Sequence, residues 1–161
     1  MLQKDEVIYI EKIEGTRALT IYSHIGKRAP VHCTGVGKVI LAYQSENEID
    51  RILSSVTLES FTEYTMTNIT DFKNHLKSIR EKGYAIDDEE IELGLKCIAA
   101  PIFNHQGNVI ASISCAAPKM RFGEERIPEV IMEIKRAASE ISICLGYKDD
   151  NDRIETSPEC F

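Results

Sequence analysis

Apolar positions along this chain switch repeatedly between the two-residue spacing of strands and the three-to-four-residue spacing of helices, and the switches outline the fold. Residues 6–14, EVIYIEKIE, are rich in β-branched and aromatic side chains, and Gly15-Thr16 separates them from a second such run at 18–23. A β-hairpin is predicted there. RAPVHCTGVGK then brings a proline, two glycines and small residues before VILAYQ, whose spacing predicts a helix starting near Val36, with a second helix over 46–54. From Thr70, Phe72, Leu76 and Ile79 repeat at helical intervals until Lys82-Gly83, a stop signal, and Tyr84-Ala85-Ile86 returns to strand.

After the acidic stretch 87–92, strands are predicted over 97–103 and 108–116, joined by the polar, glycine-containing turn 104–108 that suits antiparallel neighbours. The last element spans 127–145. Pro128 fits its first turn, Val130, Ile131, Ile134, Ala138, Ile141 and Leu145 form its apolar stripe, and Gly146 ends it. Hairpin, helices, strand, acidic turn, hairpin and long helix together predict an α+β domain, with helices packed on an antiparallel sheet. At 161 residues the chain fits one domain, expected over 1–147, followed by a polar and flexible tail over 148–161.

Composition narrows the function. Hydrophobic residues at 43% and charged residues at 28% describe an ordinary soluble protein, and no apolar run approaches the roughly 20 residues of a spanning helix. Charge appears within the first few residues, so they do not read as a secretory signal, and a cytoplasmic location is expected. Cysteines 33, 97, 115, 144 and 160 are odd in number and widely spaced, which suits free thiols. A net charge of -7 opposes direct contact with DNA phosphates.

Three segments carry candidate chemistry. His32-Cys33-Thr34-Gly35-Val36-Gly37-Lys38 reads either as a plain turn that starts a helix or as a small anion site built from helix-start N–H groups. A phosphate loop is excluded, since His32 stands where its first glycine belongs and Val39 follows the lysine. In the acidic stretch, four of the five carboxylates are expected in solvent and one, Asp87, inward. The strands around Cys97 and Ser112-Ile113-Ser114 are rich in small residues, which are either covered by helices or leave room for a ligand that serine hydroxyls orient. Catalysis has little support, because His24, His32, His75 and His105 are scattered and no hydrolase or metalloprotease motif occurs. An enzyme with Cys33 or Cys97 as nucleophile stands as the alternative. A metal module drawing on Cys33, Cys97, Cys115, His32 and Asp87 is another, although their spacing matches no zinc finger.

Taken in order, YIEKIEG, RAPVHCTGVGKVILAY, IREKGYAIDDEEIELGLKCIAAPIFNHQGNVIASISCAAP and the final amphipathic helix resemble the C-terminal, effector-binding domain of the IclR family of bacterial transcriptional regulators. The resemblance brackets residues 6–146. It implies a GAF-like fold, an antiparallel sheet flanked by helices, that senses small organic acids, including sugar acids and aromatic acids. By the same resemblance the ligand-binding residues are Thr34, Gly35, Val36, Asp87, Cys97 and Ser114, while Ala116 stands where some members have a small polar residue. No cofactor is implied. The expected ligand is a hydroxylated or keto monocarboxylate, such as a sugar-derived keto acid, the expected assembly a homodimer or homotetramer. DNA contact is expected only through an N-terminal winged helix-turn-helix domain, which no residues before Glu6 supply.

Overall fold

The computed structural model describes residues 1–15 and 23–148. The chain forms β1 (Leu2–Gln3), β2 (Glu6–Ile8), β3 (Arg28–Pro30), α1 (Gly35–Ala42), α2 (Glu46–Ser55), α3 (Ile69–Lys82), β4 (Ala85–Asp88), β5 (Leu95–Phe103), β6 (Val109–Pro118), a 3-10 turn (Lys119–Arg121) and α4 (Ile127–Cys144). Two antiparallel three-stranded sheets, ordered β1-β2-β3 and β4-β5-β6, give the expected α+β class. The predicted hairpin needs revision. Its first strand is regular only over Glu6–Ile8, where Val7 opposes Ala29 and Ile8 opposes Arg28. Its second run, 18–23, lies outside the described residues except for Ser23, as does the tail beyond Lys148.

Local chemistry sets the helix ends. Asn68, which belongs to a chance glycosylation-like triplet, caps α3 by accepting hydrogen bonds from the N–H groups of Thr70 (2.9 Å) and Asp71 (3.1 Å). Gly83 closes that helix at φ 75°, a left-handed conformation that suits glycine. Ser45 caps α2 by accepting from Glu48 N–H.

In the β4-β5-β6 sheet, Asp87 opposes Cys97, Cys97 opposes Ala116, and Ala99 opposes Ser114. Opposed residues share a face and neighbours along a strand alternate, so Ala85, Asp87, Cys97, Ala99, Ser114 and Ala116 look to one side. Ile86, Ile98, Ala100, Ile102 and Ile113 look to the other. The small face receives α1. Its Ala85 and Ala99 join Val36, Val39, Ile40, Phe72, Leu76 and Ile79 in the larger core. The bulky face receives α4, whose Ile134 and Ala138 pack with Ile98, Ala100, Ile102 and Phe122.

The apolar stripe of α4 turns away from its expected line at its C-terminal end. Ile141 and Leu145 are exposed, and the residue buried after Ile134 and Ala138 is Ser142, at the same interval of four. A register shift at Ile102/Phe103 interrupts the β5-β6 ladder, and Ser142 Oγ accepts the Phe103 N–H at 2.9 Å while donating to Ala138 O at 2.7 Å. A buried N–H left without an acceptor costs about 1–3 kcal/mol. Ser142→Ala should therefore lower stability by about that amount in denaturant titrations, although the substitution replaces a polar residue with a better helix former.

Candidate functional site

Thr34 is the residue on which the loop-to-helix junction turns. Its Oγ1 accepts the Gly37 N–H at 3.2 Å and donates to Pro30 O at 2.8 Å, so the hydroxyl is engaged in capping α1. Among the described residues no acceptor meets the N–H groups of Gly35 and Val36. These two N–H groups carry the positive end of the helix dipole. Gly35 lies flat on the sheet: a Cβ placed there would stand 3.2 Å from Cys97 Sγ and 3.3 Å from Ala99 Cβ. Gly37 is tighter still, because a Cβ would fall 2.6 Å from the Val31 backbone.

Asp87 points inward, as expected, and is almost fully buried. Its Oδ1 accepts the Glu90 N–H at 2.8 Å, and the Ile91 N–H lies near enough to favour the ionised carboxyl. Burial dominates over these N–H groups and over the nearby Lys38 ammonium, and pushes the carboxyl up to about 6. The Ser114 hydroxyl lies close enough to the Cys97 thiol to favour its ionised form. Thr34, Gly35, Val36, Asp87, Cys97 and Ser114 thus converge where α1 begins against the small face of the sheet.

Three neighbours are not among the expected ligand-binding residues, although Cys33 is a candidate nucleophile and metal ligand in the sequence. The Tyr9 phenol, at the end of β2, and the Cys33 thiol, just before α1, both lie close enough to Asp87 to feel its charge. Glu90 is the third, and it corrects the expectation that four of the five acids are solvated: two of them, Asp87 and Glu90, are buried. Glu90 Oε1 pairs with Lys38, whose ammonium is fully buried and also donates to Ile86 O at 2.6 Å. The one clue in the sequence was a lysine inside an otherwise apolar helical run, GVGKVILA. A buried lysine requires a buried anion.

The thiols are poor nucleophiles in this setting. Burial, with Asp87 beside them, pushes both Cys33 and Cys97 up to about 12, the opposite of the depression that activates a cysteine. Among the described residues, no three His, Cys, Asp or Glu side chains are grouped to hold a metal ion. No helix among them is long and apolar enough to cross a membrane.

A helix start, an inward carboxylate and a small-residue sheet face meet in this α+β domain. The family model for the bacterial transcriptional regulator IclR C-terminal domain matches residues 1–143, and the chain belongs to that family. The transcriptional regulator KdgR of Escherichia coli is 42% identical over 148 residues, covering 92% of this chain and 56% of KdgR. The crystal structure of the KdgR C-terminal domain is 40% identical with a TM-score of 0.82, covering 91% of this chain and 84% of that one. The Thermotoga maritima IclR structure is 38% identical with a TM-score of 0.86 over 91% of this chain and 59% of its own. A double mutant of the Acinetobacter PobR inducer-binding domain, in complex with 3-hydroxybenzoic acid, is 28% identical with a TM-score of 0.80, covering 88% of this chain and 83% of that one. The chain spans little more than half the length of full-length KdgR, and these relatives are transcriptional regulators, not enzymes.

Two outcomes follow from this geometry. Gly35→Val should cost about 1–3 kcal/mol by overpacking against Cys97 and Ala99, and Gly37→Ala should be worse, because backbone cannot move aside as a side chain can. Thermal unfolding of both variants checks the order. Asp87 should also leave a mark on the pH dependence of stability. Well below pH 3.8 it is protonated in both folded and unfolded states and contributes nothing. As pH rises from its ordinary 3.8 toward about 6 the unfolded chain ionises first, so the folded state loses stability, and above 6 the loss is complete. Compared with the parent, Asp87→Asn should gain on the order of 3 kcal/mol between pH 4 and pH 7, and equal pH profiles for the two proteins would count against a strained Asp87.

Proposed function

We propose that this chain is the effector-sensing part of a transcriptional regulator, and that a small hydroxylated or keto monocarboxylate is its ligand. The observation that carries this reading is the inward Asp87 beside the start of α1, where the Gly35 and Val36 N–H groups are available to an anion. In this reading the ligand carboxylate lies at the α1 N-terminus, with Val36 as apolar wall. A ligand hydroxyl or carbonyl is oriented by Asp87, Ser114 and Cys97, and Thr34 acts by shaping the turn. The PobR domain supports the chemistry, since 3-hydroxybenzoic acid also joins one carboxylate to one hydroxyl. Regulation of DNA binding would pass to a winged helix-turn-helix domain preceding this one, in a cytoplasmic homodimer or homotetramer. The exposed Met132 and Ile143 of α4 suit such pairing.

Titration calorimetry with pyruvate, glycerate and 3-hydroxybenzoate tests the reading, alongside thermal unfolding, where a ligand at 100 times its Kd adds about 2.7 kcal/mol to the folded state. Asp87→Ala should weaken binding about tenfold or more while remaining folded. Binding that is as tight in Asp87→Ala as in the parent would put the site elsewhere.

A further inference from the structure

Glu90 is an expensive residue to bury, and its surroundings point to what its burial does. Oε1 holds Lys38, but Oε2 is sealed from solvent with no hydrogen-bond partner among the described residues. The backbone around it is tied in both directions. Inward, the Glu90 N–H donates to Asp87 Oδ1. Outward, Thr65 Oγ1 donates to Glu90 O at 2.6 Å, and Thr62 Oγ1 donates to Glu89 O at 2.6 Å. The same Thr65 oxygen accepts the N–H groups of Phe61 (3.0 Å) and Thr62 (2.9 Å), so it organises the turn that displays Phe61 and Tyr64, both exposed, on the surface. His32, next to Cys33, reaches the same loop through a hydrogen bond with Glu59 O at 2.9 Å.

We propose that Glu90 is a positioning residue in a link from Asp87 to the surface loop 59–66: with Lys38 anchoring its side chain, its peptide N–H fixes the Asp87 carboxylate, and its carbonyl fixes the loop through Thr65. Occupancy of Asp87, which rests on the effector reading above, then tightens the loop, because a ligand hydroxyl on the second carboxylate oxygen restrains the group that holds the Glu90 N–H. The coupling is reciprocal, so loosening the loop weakens the site. The loop, with its two outward aromatics, is where occupancy becomes visible to a partner domain or subunit.

Hydrogen exchange at pH 7, read by mass spectrometry without any ligand, tests the link. Asp87→Ala should raise exchange in 59–66 and 88–94 about tenfold, whereas Asp87→Asn, which keeps an Oδ1 acceptor, should show no rise in either segment. β5 and α4 should keep their protection throughout. In a Thr62→Val/Thr65→Val background, Asp87→Ala should add nothing further in 59–66. Unchanged exchange of that loop in Asp87→Ala overturns the link, and so does an increase spread evenly over β5 and α4. If Asp87→Ala does not fold, the threonine pair reads the link from its other end: faster exchange in 88–94 supports it and unchanged exchange overturns it. Since no ligand is involved, such a failure leaves the effector reading standing, and a failure of the calorimetry leaves the link standing.

Discussion

An ammonium group with no access to water has to be matched inside the protein, and in this fold Lys38 imposes that demand at the centre of the molecule. Every residue of α1 is buried, so the helix cannot turn its lysine outward. The charge is met by the Glu90 carboxylate and the Ile86 carbonyl, which come from the end of β4 and the turn after it. That requirement draws the acidic turn onto the helix. Removing one member of such a pair costs about 3–5 kcal/mol, because the other is left charged and uncompensated. The inward carbonyl of Ile86 and the Glu90 N–H bracket Asp87, so the orientation of the candidate site residue follows from the lysine's need.

The second constraint is one of thickness. α1 can approach β5 only because both surfaces are thin there: Gly35 on the helix, Cys97 and Ala99 on the strand. The opposite face of the same sheet is built from Ile86, Ile98, Ile102 and Ile113, and it takes α4 at ordinary side-chain distance. One sheet thus serves two purposes. Its bulky face supplies much of the burial that holds the sheet and α4 together, and its thin face brings the start of α1 close to Asp87, Cys97 and Ser114.

Much of this was legible in the sequence because it is periodic or local. The 3.6-residue spacing of Phe72, Leu76 and Ile79, the glycine after Lys82 and the polar turn before Asn108 each specify their element without help from distant residues. Asp87 was legible as an inward acid because it ends a strand. What escaped was long-range. Lys38 and Glu90 are 52 residues apart, and nothing near Glu90 distinguishes it from Glu89 or Glu92 until Lys38 is seen to be buried. Ser142 escaped for a similar reason, since its role is to complete a strand interrupted 39 residues earlier, and a periodic reading gave its place to Ile141. Tyr9 and Cys33 approach Asp87 only once β2 and the α1 loop have been folded over the sheet.

The charges at the site also constrain what it can hold. Lys38 and Glu90 cancel, so the local balance rests on the α1 dipole, worth about half a positive charge, and on Asp87. With Asp87 ionised the junction is slightly negative and resists a carboxylate. With Asp87 protonated it is slightly positive and accepts one. Because burial already brings the Asp87 carboxyl up to about 6, little further work is needed to protonate it near neutral pH. In the effector reading proposed above, an anionic ligand at the start of α1 would supply that work by its own charge and raise the carboxyl further, so that ligand and proton bind together. The neutral acid can then donate a hydrogen bond to a keto oxygen, whereas the ionised form could only accept one from a hydroxyl. In that reading the protonated acid serves both ligand classes, since its O–H donates to a keto oxygen and its other oxygen accepts from a hydroxyl.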